Sequence, residues 1–500
     1  MLSAVRRRRP RDAHRAPQAA RHSNVRPLLV VFGLVILSRV GYHIAGIRFD
    51  ASSLPWFWQF VDPALLKADL AGSLWHLHSQ PPAFNALLGI VVNLFTGHEA
   101  LVFAVYYLLV GLLFTATLFL LLRELDVPET PAAVLTAIYV ASPACVLYEN
   151  WLFYTYPLTV LLLLCALCWQ RFARQGRFLY ALLLFACAAL VALTWSLFHL
   201  VWLLGLVLAL ALFRHRDWRK VLAAAAVPVL LVVLWYGKNL VQFGEFSGST
   251  WFGINFSKMT NSMLTVPERR ALYDIGTISA VSLVPPFGNP DKYAGVLPQP
   301  VPTGIPVLDQ NMKPSGTPNF NNILFVAVSR QYGRDALRIV AAHPAAYLRG
   351  LAESYLLYFL PASAYMFLDN NAAHIRGLAR LASILDGRFV YRFERSLRLT
   401  QPGRYYLQGF LNTGWLIIIA YVLVIIPGLV LLCRRTSFIT HRSLLFFLWF
   451  NVVWVTIVAN ALEVGENNRF RFVTDPLVFV FLAALAFSWL ARRRTGTTDV

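Results

Sequence analysis

The sequence predicts an all-α polytopic membrane protein: about ten transmembrane helices, two juxtamembrane or re-entrant helices and an external loop domain. Three observations predict it. The 500 residues are 58% hydrophobic and only 14% charged, with a mean hydropathy of +0.58, a balance that water-soluble domains do not carry. Apolar stretches recur at lengths near the ~20 residues a helix needs to cross ~30 Å of hydrocarbon. The cations gather in short caps beside those stretches, at Arg6–Arg9, Arg171/Arg174/Arg177, Arg214/Arg216/Arg219/Lys220, Arg434/Arg435/Arg442 and Arg492–Arg494. The net charge of +20 therefore follows the positive-inside pattern, with attraction to anionic membrane lipids, and does not point to nucleic acid.

Each element follows from those caps. Residues 1–26 read as a disordered basic cytoplasmic tail. The long apolar run after it has no small-residue cleavage site, so it reads as an uncleaved first span, about 27–48, and not as a signal peptide. The segment 83–97 is apolar but short. If it crossed, Arg123 would end outside and Arg171–Arg177 on the wrong side, so it is placed as a juxtamembrane or re-entrant helix. Spans follow at 99–122, 130–147, 154–170, 178–194, 198–213 and 219–237, completing an N-terminal core over 27–237. Residues 238–405 form an external region. Its stretch 238–345, rich in Gly, Pro, Asn and Ser, is too long for a plain connector. Within it, 346–367 is expected to lie on or dip into the outer leaflet, because a crossing there would force Arg434/Arg435/Arg442 outside. Spans at 407–433, 442–462 and 473–491 make up the C-terminal part, 406–492, and 493–500 is a cytoplasmic tail.

This threading delivers Asp50, Asp62, Asp69, Glu149, Glu463 and Glu466 to one membrane face and the arginine runs to the other. A pure anchor has no need of acids gathered at one mouth. The cysteines carry less. Cys165 and Cys168 have metal-like spacing, but they sit within an apolar helix with no histidine nearby, which favours core packing.

Four strings can carry chemistry. The first external loop, 49–82, holds three acids (Asp50, Asp62, Asp69), then His76, His78 and Gln80 before Pro81-Pro82; its plain alternative is a solvated interfacial loop with incidental acids. Glu149, flanked by aromatics in SPACVLYENWLFYTYP, serves equally as a turn acid. His199, beside Ser196 in an outer turn, is more often a helix cap than a catalyst, and Lys238 in WYGKN breaks the positive-inside trend, which suggests an anionic ligand. The sharpest string is EVGENNRFRF. There Arg469 and Arg471, spaced i, i+2, are expected to grip a phosphate through paired donors, unless Glu463 or Glu466 neutralises them in a structural pair. Asp62 and Asp69 with Glu149 offer oxygen ligands for a divalent cation.

Taken in order, these strings resemble the glycosyltransferase C superfamily. They are most similar to its bacterial glycosyltransferase 39-like members, relatives of protein O-mannosyltransferases and lipid A aminoarabinose transferases. The resemblance rests on Asp50 after the first span, QPPAFN about thirty residues later, Glu149 ending a span that contains Ser142-Pro143, and E-x-x-R-F-R-F at 466–472. It covers both ends of the chain and leaves 238–405 unsupported. Ala51 follows Asp50 where several relatives carry Glu, and Gln80 stands where they carry Lys.

The resemblance implies a polyprenyl-phosphate-linked sugar donor and a lipid, glycan or protein acceptor. The site would face the periplasm or exterior of a bacterial inner membrane, and the reaction would invert the anomeric carbon. Asp50 would be the base, with Asp62 and Asp69 as rivals and Glu149 assisting. Arg469, Arg471 and Lys238 would hold the donor phosphate, and His78, Gln80, His199 and Glu466 would line the substrate. The competing class is a transporter or flippase, but the span interiors are nearly free of charge apart from Arg39. A non-catalytic scaffold would leave the clustered acids unexplained.

Overall fold

A computed structural model describes residues 25–385, 414–433 and 441–495. The tail expected before residue 25, the start of the span expected from 407, the caps Arg434 and Arg435 and the end of the C-terminal tail lie outside the described residues. In chain order the helices are α1 (Val25–Ile44), α2 (Pro63–Ala68), α3 (Leu70–Trp75), α4 (Pro82–Leu94), α5 (Glu99–Glu124), α6 (Glu129–Val140), α7 (Pro143–Glu149) and α8 (Thr155–Gln175). There follow α9 (Phe178–Ala192), α10 (Leu200–Phe213), α11 (Trp218–Phe243), α12 (Phe252–Thr260), α13 (Val266–Asp274), α14 (Pro306–Asp309), α15 (Leu324–Ala342) and α16 (Pro344–Tyr358). The chain closes with α17 (Asp369–Ala372), α18 (Arg376–Leu385), α19 (Trp415–Cys433), α20 (Arg442–Leu462), α21 (Asn467–Phe472) and α22 (Asp475–Thr495). Among the described residues there is no strand, only isolated bridges.

Among the described residues, five helices are long and apolar enough to cross a membrane: α1, α5, α8, α11 and α20. A sixth span results if α6 and α7, bent by 61° at their junction, count as one. The bend has a local cause. Pro143 brings no N–H to the helix ladder, and the Ser142 side chain accepts from Cys145 N–H, starting a new helix there. Helices α4, α9, α10, α19 and α22 are apolar over shorter stretches, so five or six spans, and not the ten expected, meet the length and composition of a crossing among the described residues. Leucine, isoleucine and valine side chains such as Leu37, Leu109, Leu208, Leu231 and Leu234 stand exposed on the bundle's outside, the composition of a lipid-facing belt. α8 is apolar nearly all round and packs against α5, α7, α9, α20, α21 and α22, as a buried central helix should.

The expected boundary at 238 is corrected. α11 continues to Phe243, and Gly244, at φ +68°, ends it with the left-handed turn that glycine adopts freely. Beyond it, α12, α13, α15 and α16 pack into a helical unit with apolar clusters of its own, one around Trp251, Tyr293, Phe320 and Tyr332. At Gly253 the backbones of α12 and α15 meet: a Cβ there would stand 1.8 Å from the Ser329 carbonyl oxygen. α16, inside the segment expected at the outer leaflet, packs on α12, α15, α20 and α21.

This unit grips the first external loop. Lys313 Nζ donates to the Phe57 and Phe60 carbonyls, both at 2.7 Å. Asn321 Oδ1 accepts from the N–H groups of His78 (2.8 Å) and Ser79 (3.0 Å), and Ser249 Oγ donates to the Ser79 carbonyl at 2.5 Å. Segments more than 150 residues apart in sequence are thereby held as one wall. Burial lowers the Lys313 amine to about 8 against the pull of Asp62, so its positive charge is retained at neutral pH.

Candidate active site

The site is built on the turn between α20 and α21. Glu463 caps the end of α20 and Glu466 precedes α21. Between them Gly465 takes φ +132°, a conformation side-chain-bearing residues avoid, and its N–H donates to Asn467 Oδ1 at 3.0 Å. Asn467 in turn donates to Asn460 Oδ1 (3.0 Å) and to the Glu463 carbonyl (2.9 Å). The turn is thus held rigidly, and three ionised groups at i, i+3 and i+6 gather on one side of it.

Those groups interlock with a fourth. Lys258 from α12 forms an ion pair with Glu463, and Arg469 forms one with Glu466. The Tyr365 hydroxyl donates to Glu466 Oε1 at 3.0 Å. Arg469 is 1% exposed and lies over Phe153 (4.7 Å), Phe470 (4.8 Å), Tyr154 (5.5 Å), Trp195 (5.6 Å) and Tyr365 (5.8 Å). Its Nη1 donates to Thr155 Oγ1 at 3.1 Å, while its buried Nε makes no hydrogen bond. A guanidinium stacked on ring faces in this way is fixed in orientation. The two carboxylates are pushed apart. Burial raises Glu463 above the usual carboxylate range despite Lys258. For Glu466 burial is again the largest influence, but the Arg469 and Lys258 charges and the hydrogen bonds from Arg469 and Tyr365 together offset it and hold the group below that range.

Two cavities open at this cluster. The first, about 800 Å³, holds Lys258, Glu463, Glu466 and Arg469 together with Gln80 and His199. It extends to Val201 on α10 and to Trp454, Val458 and Ala459 on the membrane-crossing helix α20. Arg334, exposed, stands on the same wall. The second, about 640 Å³, is lined by Trp56, Phe57, Phe367, Ser262, Thr265 and Arg269 among others. Both volumes suit a small-molecule site. The cavities share Trp58, Gln59, Lys258, Phe287 and Glu466. Trp58 and Phe287 stack with centroids 5.5 Å apart at 25°. Phe287 holds φ +60°, a backbone outlier for a bulky residue of the kind that clusters at ligand clamps. Glu466 is the only carboxylate on both walls and Lys258 the only ammonium, among the described residues.

Of the residues the sequence singled out, Gln80, Ser196, His199, Glu463, Glu466 and Arg469 reach the first cavity; Asp50, Asp62, Asp69, His78, Glu149, Lys238 and Arg471 stand elsewhere. Asp50 is half-buried and lines neither cavity. Its Oδ1 accepts from Ser52 N–H at 2.9 Å, and its backbone is bridged to Asn150 and Leu152. Asp62, buried, caps α2 through Ala64 N–H (2.9 Å), and exposed Asp69 caps α3 through Gly72 N–H (2.8 Å). Glu149 is 4% exposed and takes a two-pronged bond from Arg39, Nε to Oε1 at 2.9 Å and Nη2 to Oε2 at 2.5 Å, with the Tyr156 hydroxyl at 2.7 Å. Gly111 leaves the room it needs, since a Cβ there would lie 2.6 Å from Glu149 Oε2. Asp62, Asp69 and Glu149 therefore do not assemble as ligands for a divalent cation, and no group of three His, Cys, Asp or Glu suited to a metal ion occurs among the described residues.

The remaining corrections have equally local reasons. Arg471 does not join Arg469, because residues i and i+2 on a helix point about 200° apart; its Nε lies 3.3 Å from Asp475 Oδ1. Lys238 Nζ donates to the Leu77 carbonyl at 2.8 Å and lies 3.8 Å over the Trp235 ring, outside both cavity walls. His78 is fully buried, with Nδ1 2.7 Å from Thr250 Oγ1 and Nε2 2.9 Å from the Asn321 carbonyl. Burial pushes it down to about 3, which keeps it neutral and structural.

Sequence reasoning missed Lys258. The available signal was the one that flagged Lys238: a cation on the face where the positive-inside rule expects few. No family model matches the chain, and neither a curated protein nor a solved structure matches it.

Proposed function

We propose that this chain is an integral-membrane glycosyltransferase that moves a sugar from a polyprenyl-phosphate donor to an acceptor hydroxyl on the outer face of a bacterial inner membrane. In this reading ten crossings leave both termini in the cytoplasm, with the shorter helices α9, α10, α19 and α22 among them. The observation that carries the reading is the shared wall, where one carboxylate and one ammonium face two adjoining cavities. A transfer between two bound substrates needs that arrangement. The donor's phosphate needs cationic stabilisation as it leaves, which Lys258 is placed to supply, with Arg469 behind it as a fixed positive charge. The acceptor hydroxyl needs a base in reach of both substrates, and the position of Glu466 on both cavity walls, with Asp50 on neither, supports Glu466 in that role.

In the proposed step the acceptor oxygen attacks the anomeric carbon and the new C–O bond forms. The acceptor proton passes to Glu466, and the bond from the anomeric carbon to the phosphate oxygen breaks. The electron pair leaves with polyprenyl phosphate, and the configuration inverts. The test is turnover of a panel of polyprenyl-phosphate hexoses and pentoses by purified protein in lipid. Glu466→Gln is expected to lower kcat by about 10²–10⁴-fold, and Asp50→Asn to retain most of it. Loss in Asp50→Asn with activity kept in Glu466→Gln would return the base to Asp50. Failure of the wild type to release polyprenyl phosphate from any donor would end the glycosyltransferase reading and favour transport.

A further inference from the structure

Resting on that reading, we infer that the second cavity is the acceptor site and that the acceptor is a carbohydrate chain, not a lipid or a protein. The two cavities differ in what builds them. The first takes Val201, Trp454, Val458, Ala459 and Leu462 from helices of the apolar bundle, giving a hydrocarbon tail a wall to follow. The second draws no lining residue from any of the membrane-crossing helices; it is made from the first loop, α12, α13 and the segments around 285–287 and 366–367. A lipid acceptor would find no wall from the apolar bundle to follow within it.

The lining chemistry fits a sugar. Trp56, Phe57, Trp58, Phe287 and Phe367 put five aromatic side chains around the cavity, and a ring face, with its negative quadrupole, suits the C–H side of a pyranose. Sugar hydroxyls need donors and acceptors between those faces. Gln59, Ser262, Thr265 and Arg269 supply them, and Gln59 Oε1 and Arg269 Nε are buried without a hydrogen bond. The hydroxyl that reacts is the one brought to Glu466, where this cavity meets the first.

The experiment uses the purified full chain in lipid, polyprenyl-phosphate sugars labelled in the sugar, and unlabelled cell envelopes as acceptor. Label is then divided into organic-soluble, protease-released and protease-resistant, glycosidase-released fractions. The inference expects the label in the glycosidase-released fraction. It also expects Met366→Trp, which adds bulk to an exposed position lining the second cavity alone, to reduce that transfer about tenfold or more while slow hydrolysis of the donor by water stays near the wild-type rate. Label in lipid or in protein overturns the inference alone, as does loss of donor hydrolysis in folded Met366→Trp. No donor consumption by the wild type overturns the proposed function and the inference with it.

Discussion

The two cavities meet at one carboxylate and one ammonium, yet they are built from different parts of the chain. The first combines residues of α10 and α20 with the unit that follows α11, so its wall runs from apolar helix to ion-pair cluster. The second takes no lining residue from the helices long enough to cross a membrane and carries five aromatic rings. The difference teaches that a helix bundle can share one ion-pair cluster between a cavity that reaches its apolar helices and a cavity built from the segments that connect them. The ionised groups stand at the end of α20, where the helix leaves the apolar layer. They can be shielded by partners and rings there at lower cost than in hydrocarbon.

Three changes break or sharpen that comparison. The largest effect is expected away from both cavities. Glu149→Leu leaves Arg39 buried without its partner, and losing one side of such a pair costs about 3–5 kcal/mol. The expected result is a steep fall in the protein's thermal midpoint, measured in detergent. The double change Arg39→Met with Glu149→Leu should recover much of it, and the donor turnover per folded molecule should stay near normal. A selective loss of turnover at unchanged stability would return Glu149 to the chemistry.

A smaller effect separates the compartments. Val458→Trp narrows only the cavity bounded by α20 and is expected to raise KM for the lipid-linked donor about tenfold, leaving KM for the acceptor in place. An equal rise for both substrates would mean that the cavities act as one.

The smallest and most diagnostic effect lies in the pH profile. The acid limb of kcat/KM reports the base of the free enzyme. Glu466 is held below the ordinary carboxylate value of about 4.3 because the Arg469 and Lys258 charges and two hydrogen bonds together offset its burial, so it stays ionised as pH falls and its limb belongs below that value. Glu463 is raised by burial, and as the base it would place the limb above it. Glu463→Gln should therefore leave the limb unmoved. A shift would transfer the role to Glu463.

What could be read in the sequence follows from what is local. Glu466 and Arg469 were visible because they lie three residues apart in one string on the acidic face. The short helix α21 separates Arg471 from Arg469 by about 200°, which the i, i+2 spacing alone does not reveal. Asp62 and Asp69 carried a second local message: an aspartate just ahead of a short helical stretch, in one case followed by Pro63, is an N-cap signature, and capping is their observed contact. Glu149 and Arg39 were each noticed, but 110 residues separate them, and no rule of spacing links an acid at the end of one helix to a base inside another.

Composition, by itself, determined an all-helical chain with several helices apolar and long enough to cross a membrane, and where its apolar segments fall, because hydrophobicity acts residue by residue. Only the tertiary structure decided that Lys258 joins Glu463 and Glu466, that Asp50 stays outside both cavities, and that two chambers rather than one open at the cluster. Those facts depend on packing between segments some 200 residues apart, where each contact is set by the shape of everything folded between them.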